Sequence, residues 1–233
     1  MNIACDRPSS SSLTDCTIPM DNESHNGKSL QESMFALCQV LSELDNSLSK
    51  AGRHGESHAT LVAHCLDQLN GIYQSLEPGL RNRHESRGIR QNLSRLTFAI
   101  HTGTVVCQLC RRACKALPSS SNDRTYFAGR CSQAASQVLE SYLEMHRLAP
   151  KLCRSWSFVH NAASVIFANH SLENVSEDAM KATSLGREVF IRLKKDERDS
   201  VWIDGSGVRH TSGLHRRFWK SLGHIYGSQI DVH

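Results

Sequence analysis

Long apolar runs are missing from this chain. The most apolar stretch, Ala162–Ala168 (AASVIFA), is far too short to cross a bilayer, which takes about 20 residues as a helix. No membrane association is expected. The first twenty residues carry no apolar core of a secretory signal, so an intracellular protein is the expectation. The Asn-x-Ser sequons at Asn22, Asn92, Asn169 and Asn174 then read as chance matches. Period-two alternation is nearly absent, which argues against sandwiches, barrels and wound sheets. The catalytic signatures are missing as well: there is no GxSxG, no P-loop, no GxGxxG after a strand and no HExxH. No enzymatic activity is expected. A net charge of +4 is too small to argue for nucleic acid by itself.

The 233 residues are 39% hydrophobic and 21% charged, ordinary values for a globular chain long enough to bury a core without staples. Nine cysteines are scattered at 5, 16, 38, 65, 107, 110, 114, 131 and 153. An odd, scattered set within helical sequence argues against a disulfide framework and for small buried hydrophobes.

Helical periodicity dominates. Met34, Leu37, Leu41, Leu44 and Leu48 form one apolar face after Lys28-Ser29, with Gly52 and Gly55 expected to end it. A second helix is predicted over about 57–76, on Leu61, Cys65, Leu69, Ile72 and Leu76, stopped by Pro78-Gly79. A third, over about 86–117, carries Leu93, Leu96, Ile100, Cys107 and Cys110, with Gly103 lowering propensity inside it. Pro118–Asp123 (PSSSND) is a linker, and Asp123 is the expected N-cap of a fourth helix with Phe127, Cys131, Ala134, Ala135, Val138, Tyr142 and Met145. Pro150 suits the first turn of a fifth helix, which carries Leu152, Trp156, Val159, Ala163, Ile166 and Phe167. A sixth runs over about 176–194, capped by Ser176, with Glu177 and Asp178 first and Arg192, Lys194 and Lys195 last, as the helix dipole favours. The fold class is therefore all-α, an irregular multi-helix bundle of about six helices with a poorly ordered N-terminal loop segment and C-terminal tail. The organisation is a loop segment over 1–28, a helical domain over 29–195, and a charged, Gly/Ser-rich tail over 196–233 with room for a short helix.

Three features carry chemistry in principle. Cys107, Cys110 and Cys114 (CQLCRRAC) have a spacing that suits zinc thiolates, but a structural site needs a fourth ligand and usually a second paired motif, and none follows; His101 lies six residues away. The same spacing places all three on one helix face, and core packing is the reading taken. With 13 histidines, some Cys–His proximity is expected by chance, and no nucleophile signature surrounds any cysteine. His215–Gly227 (HRRFWKSLGHIYG) interleaves basic and aromatic residues, as single-strand binders do; a tail helix with Phe218, Leu222 and Ile225 turned inward explains it as well and is preferred. Trp156 and Phe158 read as core anchors. No catalytic, cofactor-binding or metal-ligating residue is assigned.

One stretch resembles a known family. Asp6–Met20 (DRPSSSSLTDCTIPM) is similar to the loop "GRP-small-small-I-x-D-x-D-C/I-x-I/V-x-L-P" of the fungal-specific transcription factor domain, the middle homology region of fungal zinc binuclear-cluster regulators. Arg7-Pro8-Ser9-Ser10 and Asp15-Cys16-Thr17-Ile18-Pro19 match it, with Asp6 in place of the family's Gly. Phe35–Leu48 resembles the helix after that loop. Leu93–Cys114 sits where the family has a helix ending "LHRPFL", here Leu109-Cys110-Arg111-Arg112-Ala113-Cys114 without the His and Pro. Arg130–Leu148 resembles the "C-x-x-A-A-x-x-I/V-L" helix, and Ser155–Ser171 the next, "W-x-F-x-x-Y-x-x-x-A-A". The resemblance runs over residues 6–195 and implies an all-helical regulatory domain acting in the nucleus. The family's six-cysteine zinc cluster has no counterpart among the cysteine spacings here, so the expectation is the C-terminal half of such a domain, with no direct DNA binding. The partner would be another protein or the missing N-terminal half, and self-association is expected through an apolar stripe left open on the first helix. Two other readings compete: a stand-alone helical protein that sequesters a regulator, and a small Cys/His enzyme.

Overall fold

The computed structural model describes residues 27–54, 58–86, 88–153, 156–172, 176–199 and 225–226. The N-terminal loop segment through residue 26, Gly55, and the tail other than 225–226 lie outside the described residues, and so do the poor order expected of both ends and the inward turn of Phe218 and Leu222. The described residues form eight α-helices, six long and two of a single turn, with no strand among them.

Helix α1 spans Leu30–His54, which includes Gly52 and reaches the residue before Gly55. It starts in a capping box. The Ser29 backbone N–H donates to Glu32 Oε2 at 2.7 Å, and the Glu32 N–H donates to Ser29 Oγ at 3.3 Å. The chain just before it is pinned to the far end of α2 (His58–Gln74): Lys28 N donates to Ser75 O at 2.7 Å, and Glu77 N to Lys28 O at 3.1 Å. Gly27 is required there. Its φ is +134°, and a Cβ would meet the Leu76 and Glu77 backbone at 2.6–2.7 Å. Pro78, predicted only as a stop, opens the one-turn helix α3 (Pro78–Arg81), since it lacks the N–H that a first turn leaves unused.

Helices α4 (Ile89–Ala116) and α5 (Asn122–Leu148) form the central hairpin. Their contacts step in opposite directions along the two chains, from Arg95 against Glu144, through Gly103 against Val138 and Cys107 against Cys131, to Cys114 against Arg124. At Gly103 α5 comes close enough that a Cβ would overlap Val138 Cγ2. α4 runs past Cys114, and the Arg124 guanidinium satisfies its last carbonyls, donating to Cys114 O at 2.8 Å and Leu117 O at 3.3 Å. The cap of α5 is Ser121, not Asp123: Ser121 Oγ accepts from the Asp123 N–H at 3.2 Å, and Asp123 stands in the first turn, where its charge suits the dipole.

The α1–α2 hairpin packs on one side of this centre. On the other, α7 (Trp156–His170) lies against α4 and α5, and α8 (Glu177–Asp199) against α5 and α7. The predicted fifth helix is helical over Pro150–Cys153 and over Trp156–His170, and residues 154–155 lie outside the described residues. Pro150–Cys153 forms the single turn α6, which buries Cys153 and leaves Leu152 41% exposed, so Leu152 is not on the core face. The Tyr142 hydroxyl donates to Cys153 O at 3.4 Å and fixes that turn to α5. Ser176 caps α8 as predicted, accepting from Ala179 N at 3.2 Å, and the helix runs to Asp199, four residues past the expected domain edge.

The core is continuous across all six long helices. The apolar stripe of α1 is not open. Leu37 and Leu44 are buried, and Met34, Leu41 and Leu48 pack partly buried against the core, so the surface expected to drive self-association is covered by α2 and α4.

Candidate functional site

The three cysteines of CQLCRRAC are on the face of α4 turned to α5, all buried, and Cys131 comes across from α5 to meet them. The thiols of Cys107 and Cys131 donate reciprocally to each other's backbone carbonyls at 3.4 and 3.6 Å, and Cys114 Sγ donates to Arg124 O at 3.5 Å. Burial and the facing thiols push Cys107 and Cys110 well above the usual thiol range. In this packing the Cys107, Cys114 and Cys131 sulfurs stand as protonated donors to backbone carbonyls of the facing helix. Among the described residues no set of three or more His, Cys, Asp or Glu side chains has metal-site geometry.

His101 points away from these cysteines, toward α7. Its ring packs at 5.7 Å from that of Phe158, and the Asn161 amide nitrogen lies 3.0 Å from Nδ1. An amide nitrogen only donates, so Nδ1 accepts and the ring is neutral with its proton on Nε2. Burial lowers its pKa, and that of His160 on α7, whose Nε2 meets Ser164 Oγ at 3.3 Å. His101 is a packing group of the α4–α7 interface. Of the basic–aromatic tail motif, only Ile225 and Tyr226 are described. Tyr226 is buried on α8, 5.6 Å from the Phe190 ring, and desolvation pushes its phenol to about 12.

One concavity among the described residues was not foreseen from the sequence. It is a groove of about 450 Å³ between α2, α3, α4 and α5. Leu66 and Leu69 of α2, Leu80 of α3, and Phe98 and Gly103 of α4 line its floor. Arg81, Arg95 and Arg130 stand around it, with the amides of Asn70, Gln133 and Gln137. No aspartate or glutamate lines it. Arg95 is 15% exposed and held in place, donating to Asn92 Oδ1 at 2.7 Å and to Glu144 at 3.4 Å. Glu144 is shared with Arg83 at 3.4 Å. The Thr102 hydroxyl in the same wall has no hydrogen-bond partner among the described residues. The sequence held a faint sign of this. Arg95 and Thr102 are two turns apart on α4, and Arg130, Gln133 and Gln137 share a face of α5. Without the α4–α5 register, nothing joined the two sets.

Comparison of the chain with protein-family models, with curated proteins and with solved structures found no match.

Proposed function

We propose that the chain is part of the regulatory domain of a fungal zinc-cluster transcription factor, and that it acts in the nucleus through a protein partner without reading DNA itself. One observation carries the reading: five stretches between Asp6 and Ser171 resemble that domain's motifs and occur in its order. The helical fold is compatible with it, and the three later stretches fall on α4, α5 and α7. On this reading the chain works by burying helix faces against a partner or against the rest of its own domain. The apolar stripe of α1 is already packed against the core and is not among the faces left for a partner. Tethering the chain to an unrelated DNA-binding domain in a fungal reporter strain tests the proposal. A several-fold change in reporter transcription, in either direction, is expected. An unchanged reporter with the fusion present in the nucleus would sink the idea.

A further inference from the structure

We propose that the groove between α2, α4 and α5 binds a small amphipathic anion, an apolar body of one or two rings or a short chain carrying a single carboxylate. The inference rests on the groove's own chemistry and holds whether or not the chain acts in transcription.

The size fits. Small-molecule clefts run from about 300 to 1,000 Å³, with apolar walls and a few placed polar groups. This groove, about 450 Å³, has that composition: a floor of leucine and phenylalanine, and polar groups at its edge. The sign of the charge is set by the lining, which has three arginines and no carboxylate. Arg95 is the anchor. Its Nε and Nη2 are used by Asn92 and Glu144, while Nη1 makes no bond among the described residues. A guanidinium fixed on one edge and open on the other meets a carboxylate with little ordering cost. The Gln133 and Gln137 amides on the α5 side of the same groove supply further polar groups. Arg130, exposed at the rim, adds a second positive charge over the mouth. A neutral ligand of the same shape would use the floor and leave the arginines unanswered.

The test is calorimetric titration of the full chain with two anions, 2-naphthoate and octanoate, and with their neutral counterparts, 2-naphthamide and octanol. One anion per chain is expected, with the neutral counterparts at least tenfold weaker. Arg95→Met keeps the apolar stem and leaves Glu144 its contact with Arg83. It should weaken the anions at least tenfold and leave the neutral compounds unchanged. Arg130→Met, at an exposed position, should weaken the anions in the same sense, and it decides the matter if Arg95→Met loses helix content. Ala99 of α4 also lines the groove, and Ala99→Leu, which fills space there, should weaken all four compounds. Failure of both anions to saturate, several sites per chain, or anion binding indifferent to both arginine substitutions would overturn the proposal. So would a dimer in light scattering that the anions disperse, which would assign the groove to a second copy of the chain.

Discussion

Gly103 lies within a 28-residue helix, where alanine is ordinarily better by about 1 kcal/mol. Sequence alone marks it as a weak point. Its purpose depends on Val138, 35 residues away, whose branched side chain occupies the space a Cβ would take. Gly103→Ala should therefore destabilise by about 1–3 kcal/mol, the usual range for overpacking, despite the gain in helix propensity. Combined with Val138→Ala it should cost less than the sum of the two single changes, and a urea double-mutant cycle measures that coupling. Gly129→Ala is the contrast: nothing lies within 4 Å of its Cβ, and it should stabilise by about 0.5–1 kcal/mol. Cysteine burial was readable at this scale, because the 107–110–114 spacing lies along one helix face. The thiol environment was not, because it needs Cys131 from another helix. With their pKa values raised and no surface, Cys107 and Cys110 should resist iodoacetamide in the native protein and react only as fast as it unfolds, read by mass spectrometry of timed digests.

At the scale of elements, apolar periodicity located all six long helices, while their ends depended on chemistry that periodicity does not carry. Ser176 was legible as a cap because two acids follow it. Ser121 was hidden in a run of three serines, and Asp123 looked the better candidate. Ser29→Ala, which opens the capping box of α1, should lower stability by about 1 kcal/mol, and Ser121→Ala by a similar amount, read from denaturant midpoints. Two partly buried histidines, His101 of α4 and His160 of α7, should give a pH dependence. Burial lowers the pKa of His101 and His160 in the fold, so the unfolded chain takes up protons first as the pH drops through about 6.5. Their contribution is intact above that pH and is lost as the pH falls through the lower folded values. The urea midpoint should drop between pH 7.5 and 5.5. His101→Gln, which keeps an acceptor for Asn161 but does not titrate, should show a smaller drop; an unchanged pH profile would remove His101 from this account.

For the whole molecule, the packing order places α4 and α5 at the centre and a helical pair on either side. This arrangement covers the α1 stripe that sequence reasoning left open, and it creates the arginine-rimmed groove that no single helix displays. Both outcomes follow from which helix meets which, information that lies in tertiary packing and not in the period of any one segment. The chain also returns on itself late: Tyr226 is 5% exposed on α8, more than thirty residues after Phe190. Tyr226→Ala should cost about 3 kcal/mol, the scale of losing a buried aromatic side chain, and the thermal midpoint checks it.

The central claim, that this is a piece of a zinc-cluster regulator, is tested most directly by mapping the 5′ end of the transcript and reading the frame upstream of Met1. The account predicts a longer message with an in-frame six-cysteine cluster of the form C-x2-C-x6-C, loop, C-x2-C-x6–8-C, followed by the first half of the regulatory domain. A message that starts just before Met1, with no such frame, would contradict it.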